Sequence, residues 1–104
     1  MFKYQTFKRK CRITISNEMT IYTAGELKEK LSQVLDDPRD LEINLSKVNE
    51  IDSAGIQLLM LAKKSRSLKQ YKLSLVEHTH DVIDAFEALG LVSYFGDPLL
   101  ISNN

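Results

Sequence analysis

Residues 41–68 run LEINLSKVNEIDSAGIQLLMLAKKSRSL, and this stretch predicts a strand followed by a long helix. Apolar and polar residues alternate over 41–45, as in a strand that is buried on one face. After a predicted loop at 46–51, apolar residues recur at helical spacing from Ser53 to Leu68. A strand that leads into a helix is the repeating unit of α/β proteins.

The segment before this unit carries another predicted strand. Residues 12–16, with the sequence RITIS, alternate apolar and polar side chains and are rich in β-branched residues, which is typical of a half-buried strand. We expect a turn at 17–18 and a short extended piece at 19–22. Residues 1–12 hold five cations and no anion, and a solvated strand with Lys and Arg outward explains them better than a binding arm.

A first helix is predicted between these two strands. Thr23 and Glu26 have the spacing of a capping box, in which each side chain accepts a bond from the other residue's backbone N–H. Tyr22 and Leu27 stand at the positions of a hydrophobic staple. Pro38 stops the helix before the next strand. The buried stripe of this helix is predicted to be Leu27, Leu31, Val34 and Leu35.

The same alternation continues after the second helix. Leucine and valine at 73–76 predict a strand, and Thr79 is placed to cap a third helix with Asp81 in its first turn. Gly90 is the expected C-terminal stop, and a final apolar stretch follows at 91–95. The predicted buried stripe of the third helix is Val82, Ile83, Phe86 and Leu89.

Strands and helices therefore alternate along the chain with no Gly/Ser linker and no internal repeat. The pattern predicts an α/β fold, with a mixed β-sheet of four to five strands and three to four helices packed on it. We expect one domain over residues 1–104. Right-handed crossovers place the N-termini of the helices at one edge of such a sheet.

Composition and charge exclude several classes of function. The 14 basic and 14 acidic residues give a formal net charge of zero, so no overall field favours nucleic acid or an anionic membrane. The single cysteine, Cys11, rules out an intrachain disulfide and a cysteine metal cluster. No apolar stretch has the length of a signal peptide or a membrane span. We therefore expect a cytoplasmic protein without membrane insertion or a nucleic-acid partner.

The segment 48–56, VNEIDSAGI, holds the residues that point to a function. Asp52 is a good N-cap for the second helix, which places Ser53 in the first turn with its hydroxyl exposed. Gly55 removes a side chain beside it, so we expect a partner's backbone to approach there. A phosphoryl group on Ser53 adds about −1.5 to −2 charges beside Asp52 and Glu50. The helix dipole and free N–H groups tolerate this anion, while a docked partner is repelled.

The same residues have plainer interpretations. Asp and Ser are the commonest capping residues, so these nine residues alone favour simple caps over a switch by roughly two to one. Ser53 as a nucleophile, with His78 or His80 as its base, is disfavoured because a GxSxG elbow and an oxyanion loop are missing. His78, His80 and Asp81 lack a further metal ligand, and the cations of 63–72 predict a solvated helix face. We predict no catalysis, no metal and no cofactor.

Four stretches in register resemble a known family. They are TAGELK at 23–28, LEINLSKV at 41–48, IDSAGI at 51–56 and FEALGLVSYF at 86–95. From about residue 12 to residue 95, the chain resembles a STAS domain, the module of anti-sigma factor antagonists and of the cytoplasmic ends of sulfate transporters. The resemblance implies a STAS-like fold.

The resemblance also implies a mechanism. In antagonists of this family, an anti-sigma factor that is a serine kinase phosphorylates the serine of the DS[SA]G motif, which matches Ser53 here. The unphosphorylated form binds that kinase and frees the sigma factor, and a serine phosphatase resets the system. The alternative is a non-switching STAS subunit or scaffold of a lipid-transport or chemosensory complex; oligomeric state is left open.

The docking face implied for this chain combines the second helix, the loop before it and the segment at 19–22. Thr20 departs from the family pattern, because antagonists often carry an aspartate there. The predicted partner-binding residues are Thr20, Ile21, Tyr22, Asp52, Ser53, Ala54, Gly55, Ile56 and Gln57.

Overall fold

The computed structural model describes residues 2–90, which form four strands and three helices within that range. The predicted α/β class, with a mixed sheet and helices packed on it, is confirmed. The final apolar stretch predicted at 91–95 lies outside the described residues. In chain order the elements are β1 (Phe2–Thr6), β2 (Lys10–Met19), α1 (Ala24–Val34), β3 (Asp40–Ile51), α2 (Ser53–Leu68), β4 (Leu73–Val76) and α3 (His80–Ala88).

The sheet has the strand order β1-β2-β3-β4. β1 pairs antiparallel with β2, whereas β2, β3 and β4 are parallel to one another. Each parallel connection contains a helix, α1 between β2 and β3 and α2 between β3 and β4, as parallel pairing requires. Met19 pairs with Ile51 where β2 and β3 end, so α1 and α2 both begin at the same edge of the sheet.

The core lies between the sheet and the helices, with α3 contributing Val82 and Phe86. Alternate residues of β2 and β3 are buried, and the predicted stripe of α1 is buried as well. Burying one Leu or Ile side chain contributes roughly 1.5–3 kcal/mol, so this cluster supplies most of the stability. Its members from the strands and from α1 with its C-cap are Cys11, Ile13, Ile15, Met19, Leu27, Leu31, Val34, Leu35, Leu41, Ile43, Leu45, Val48, Leu73 and Leu75.

Two predicted breaks in strands are wrong. β2 continues through the turn expected at 17–18, with Asn17 at φ 74° and two register shifts against β3 between Thr14 and Glu18. These shifts are β-bulges, which add a residue and bend a strand without ending it. β3 likewise runs through the loop expected at 46–51. The extended piece expected at 19–22 is also wrong beyond Met19, because a turn follows.

Helix α1 begins where predicted, but not by the predicted cap. Thr23 has φ −112° and ψ −10°, and its side chain makes no capping bond to the helix. Its Oγ1 instead accepts a bond from Thr20 N at 3.0 Å and lies 3.1 Å from Glu18 O, to which it donates. Tyr22 is 89% exposed, so the staple with Leu27 does not form.

Helices α2 and α3 follow the prediction closely. α2 spans Ser53–Leu68 as expected, and Thr79 caps α3 by accepting a bond from Val82 N at 3.3 Å. Gly90 adopts φ 67° just after α3, the left-handed conformation that glycine favours at helix ends. One member of the α3 stripe is wrong, since Leu89 is 51% exposed.

Arg66 is the main departure on α2. The sequence places it in a solvated basic face, but the side chain is completely buried. Its Nη1 donates to the carbonyls of Leu35 and Asp37, both at 2.8 Å, and Nη2 donates to the carbonyl of Arg39. The guanidinium carbon lies 4.7 Å from the ring centroid of Tyr71. Arg66 therefore fixes the loop between α1 and β3.

Candidate functional site

Asp52 joins the start of α2 to the turn after β2. One carboxylate oxygen accepts bonds from Ala54 N at 2.9 Å and Gly55 N at 3.2 Å, which confirms the predicted N-cap. The other oxygen accepts a bond from Ile21 N at 3.0 Å. The bond from the Ile21 N–H is the main cause that lowers the pKa of Asp52 below its ordinary value. The carboxylate is thus ionised and fully engaged at neutral pH.

Ser53 is the first residue of α2 and is exposed, as predicted. Asp52 already occupies the N–H groups of Ala54 and Gly55. The expectation that free N–H groups receive a phosphate therefore needs correction, because these two amides are taken. A phosphoryl group on Ser53 would remain at the surface, with the helix dipole as its main local support.

The expected role of Gly55 is wrong. A Cβ atom at this position would lie 2.1 Å from the carbonyl oxygen of Met19 and 2.8 Å from its Cβ. Glycine is therefore required because β2 ends directly against α2, and Gly55 is buried by its own chain. A backbone does approach Gly55 closely, as the sequence suggested, but it is the backbone of Met19 in the same chain and not that of a partner.

The turn after β2 separates buried from exposed members of the predicted docking face. Thr20 is 4% exposed, and its Oγ1 accepts a bond from Tyr22 N at 3.2 Å and donates to Glu18 at 3.3 Å. Ile21 and Tyr22 are 70% and 89% exposed. Thr20 therefore shapes the turn from below, whereas the next two side chains form a surface.

The remaining predicted residues follow the same division along α2. Ile56 is buried in the core, Ala54 is half-buried and Gln57 is exposed. Of the nine predicted partner-binding residues, the structure brings Ile21, Tyr22, Ser53 and Gln57 to the surface at this end of the sheet.

A pair of carboxyl groups lies beside this surface and was not among the predicted site residues. Glu18 and Glu50 pair across β2 and β3, and a hydrogen bond between their side chains is the main cause that raises the pKa of Glu50. The negative charges of Glu18 and Asp52 act in the same direction. Only the strand register reveals this pair, since the two residues are far apart in the chain.

A groove between α1 and α2 was also missed. Its volume is about 380 Å³, and its lining residues are Ala24, Gly25, Lys28, Ala54, Gln57, Leu58 and Leu61. Leu61 is 43% exposed, one helical turn beyond Gln57. In the sequence, the signal for this surface is a leucine eight residues, or about two helical turns, after Ser53. Its exposure is what marks the surface as a binding candidate.

The two histidines do not gather with Ser53 into a described cluster. His78 is completely buried, with its ring centroid 6.0 Å from that of Phe86, whereas His80 is exposed. Among residues 2–90, no group of three or more His, Cys, Asp or Glu side chains is arranged to hold a metal ion. No helix in the same range is long and apolar enough to cross a membrane.

Comparison with protein families gives a match over nearly the whole chain. The family model described as "Mlab, STAS domain" matches residues 2–100. The anti-sigma-B factor antagonist of Staphylococcus aureus (strain NCTC 8325 / PS 47) is 29% identical over 80 residues, which are 76% of this chain and 74% of that protein.

Solved structures show the same fold. A putative anti-sigma factor antagonist from Thermotoga maritima superimposes with a TM-score of 0.79 at 20% identity, covering 99% of this chain and 86% of that one. The anti-sigma factor antagonist SpoIIAA in its unphosphorylated form gives 0.76 at 16% identity, over 94% and 88% of the two chains. The phosphorylated form of Bacillus SpoIIAA gives 0.71 at 15% identity, over 100% and 92%.

Proposed function

Because the chain belongs to the STAS domain family, we propose that it is an anti-sigma factor antagonist that works by partner switching. With Ser53 unphosphorylated, the protein binds an anti-sigma factor that is a serine kinase. Phosphorylation of Ser53 releases that partner, and a serine phosphatase restores binding. The observation that carries the proposal is the position of Ser53, exposed at the first residue of α2.

The surroundings of Ser53 favour release by charge. A phosphoryl group brings about −1.5 to −2 charges to an edge that already holds Asp52, Glu18 and Glu50. A partner that fits the neutral hydroxyl would have to desolvate this anion or face it with a like charge, which costs several kcal/mol. The fold itself should persist, because the anion lies at the favourable end of the helix dipole.

The relatives support the same function. The Staphylococcus aureus relative is an anti-sigma-B factor antagonist, and SpoIIAA is a structural neighbour solved with and without phosphate. By this proposal the protein acts in the cytoplasm as a binding regulator, and Ser53 is a substrate of the partner's kinase activity rather than a nucleophile of its own. We propose no cofactor for it.

The test combines mass spectrometry with binding. Intact-mass and peptide measurements on the protein from its own cells should find phosphate on Ser53. Immobilised wild-type protein should capture an anti-sigma factor, and Ser53→Asp should weaken that complex by at least ~10-fold because it places a carboxylate at the interface. Thr6→Asp is the matched control, since this exposed hydroxyl lies on β1 opposite Cys11, at the other end of the sheet, and should bind like wild type.

If Ser53→Asp binds the captured partner as tightly as wild type, the switch is wrong. The second candidate, a permanent STAS subunit of a lipid-transport or chemosensory complex, then takes its place. The description "Mlab, STAS domain" of the matching family model is the observation that keeps this candidate. A stoichiometric complex with transport subunits that is insensitive to Ser53→Asp would support it.

A further inference from the structure

The α1–α2 groove opens beside Ser53. Ala54, the next residue, lines it together with Gln57 and Leu61 one and two turns further along α2. The opposite wall is Gly25 and Lys28 of α1, both exposed. The groove is therefore continuous with the surface on which the proposed switch acts, and its floor and walls are mostly apolar.

Gly25 has no internal reason to be glycine. Gly55 is required by the carbonyl of Met19, and Gly90 adopts a positive φ. Gly25 lies in α1 with no positive φ, and among residues 2–90 a Cβ built on it meets no atom within 4 Å. Glycine inside a helix is destabilising relative to alanine, so the open position favours a role outside the fold.

The exposed apolar side chains indicate what approaches this groove. Leu61 is 43% exposed on its wall, and Ile21 and Tyr22 are 70% and 89% exposed in the turn that precedes α1. Ile21 N bonds to Asp52 at the start of α2, and Leu61 shares the groove with Ala54. Exposed apolar residues that group around one place in a fold mark protein interaction sites. Its place beside Ser53 assigns it to the same partner.

The charges around the groove specify the partner further. Lys28 is the one charged residue among the described lining residues, and the next depression along α2 is lined by Lys63, Lys64, Ser67 and Leu68. The Glu18–Glu50 pair, in contrast, lies at the strand ends near Asp52. The face is thus cationic along the groove and anionic beyond Ser53, which sets the charge pattern that a complementary partner needs.

We propose that the α1–α2 groove receives an apolar side chain of the anti-sigma factor, with a neighbouring carboxylate of the same partner segment held by Lys28. Gly25 keeps the groove open for this side chain. The inference rests on the proposed function, because it names a second contact of the partner that Ser53 controls. The partner would then make two contacts: an apolar contact in the groove, the anchor, that phosphorylation does not change, and a contact at Ser53 that phosphorylation removes.

Gly25→Leu tests the anchor, because its side chain would fill the groove. The probe is the anti-sigma factor captured on immobilised wild-type protein, identified by mass spectrometry, purified and titrated by calorimetry. Gly25→Leu should weaken its binding by ~10- to 100-fold, the range expected when one buried apolar side chain is lost. Gln33→Leu adds the same side chain at an exposed position near the end of α1 and should bind like wild type.

Two further variants separate the anchor from a folding defect. Gly25→Ala should raise the thermal midpoint yet weaken binding, a combination that general destabilisation does not produce. Lys28→Glu should weaken binding at least several-fold at low salt, whereas Lys3→Glu, on exposed β1, should not.

The outcomes distinguish the two proposals. If Ser53→Asp weakens the complex while folded Gly25→Leu and Lys28→Glu bind like wild type, the proposed groove contact is wrong and the proposed switch is supported. If Gly25→Leu and Lys28→Glu weaken the complex and Ser53→Asp does not, the proposed switch is wrong and the proposed groove contact is supported. If immobilised wild-type protein captures no anti-sigma factor, both are wrong.

Discussion

The two ends of the parallel strands differ in what their charged side chains contact and in how much apolar surface they expose. At the amino end, formed by residues 35–40 and 69–72, charged side chains bind other parts of the same chain. At the carboxyl end, formed by 17–23 and 50–57, Ile21 and Tyr22 are exposed and carboxyl groups gather. One end is built for stability, and the other presents a surface.

The amino end is a closed network. Asp37 accepts a bond from Arg39 Nε at 2.7 Å and another from the hydroxyl of Tyr4. The bond with Arg39 lowers the pKa of Asp37, and the bond to Asp37 raises the pKa of Tyr4 to about 12. Arg66 holds the same loop from inside the protein. Electrostatics at this end favours the folded state.

The carboxyl end shows the reverse electrostatics. The pKa of Glu50 is raised by its contact with Glu18, so ionisation of Glu50 opposes folding at neutral pH. The proposed switch would account for this cost, since an acidic edge near Ser53 would strengthen the effect of a phosphate there. The comparison predicts that substitutions at the amino end change stability most, while those at the carboxyl end change binding.

The largest effect on stability should come from Arg66→Ala. The substitution leaves three carbonyls of the loop before β3 without the buried guanidinium, and we expect a loss of about 3–5 kcal/mol. Urea unfolding measures it. Lys64→Ala, on the exposed face of the same helix, should stay within about 0.5 kcal/mol. A loss below about 1 kcal/mol for Arg66→Ala would contradict the role given to the amino end.

A smaller loss is expected for Gly55→Ala, which changes the close contact between the end of β2 and the start of α2. Its Cβ would collide with the Met19 carbonyl, so β2 and α2 must move apart at a cost of about 1–3 kcal/mol. Gly25→Ala should have the opposite sign and stabilise by about 0.5–1 kcal/mol. Thermal unfolding of both variants measures the contrast, and equal shifts would show that the two glycines do not differ as described.

The smallest effect is expected for Glu50→Gln. A group whose pKa is raised in the fold contributes stability while it is protonated, and loses it as pH rises through the folded pKa. Glutamine removes the like charge beside Glu18, so the variant should unfold at a slightly higher temperature than wild type at pH 7 and at nearly the same temperature at pH 4. A difference that is larger at pH 4 would contradict the raised pKa of Glu50 and its cause, the contact with Glu18.

The caps show how far local sequence can be trusted. Asp52 and Thr79 have extended backbones and cap their helices as predicted. Thr23 has the same local signature, yet its backbone is helical and its hydroxyl bonds to the preceding turn. The signature predicts where a helix begins, but the path of the chain before it decides whether the side chain can cap.

Arg66 in the core and Gly55 at the site also show that local sequence does not predict contacts with distant parts of the chain. Helical periodicity placed Arg66 near basic neighbours, but burial depends on the loop that folds over it. Gly55 was assigned to a partner because nothing local reveals Met19, 36 positions earlier in the chain. In both cases the decisive neighbour is distant in sequence.

By itself, the sequence determined the alternation of helices and parallel strands from α1 to α3, the bounds of α2 and the exposure of Ser53. These properties depend on periodicity and capping, which act over a few residues. The tertiary structure alone decided the Glu18–Glu50 pair, the Asp52–Ile21 bond and the α1–α2 groove. Each of them follows from the bulged register of β2 on β3 and from helix packing, which bring together residues that no local pattern connects.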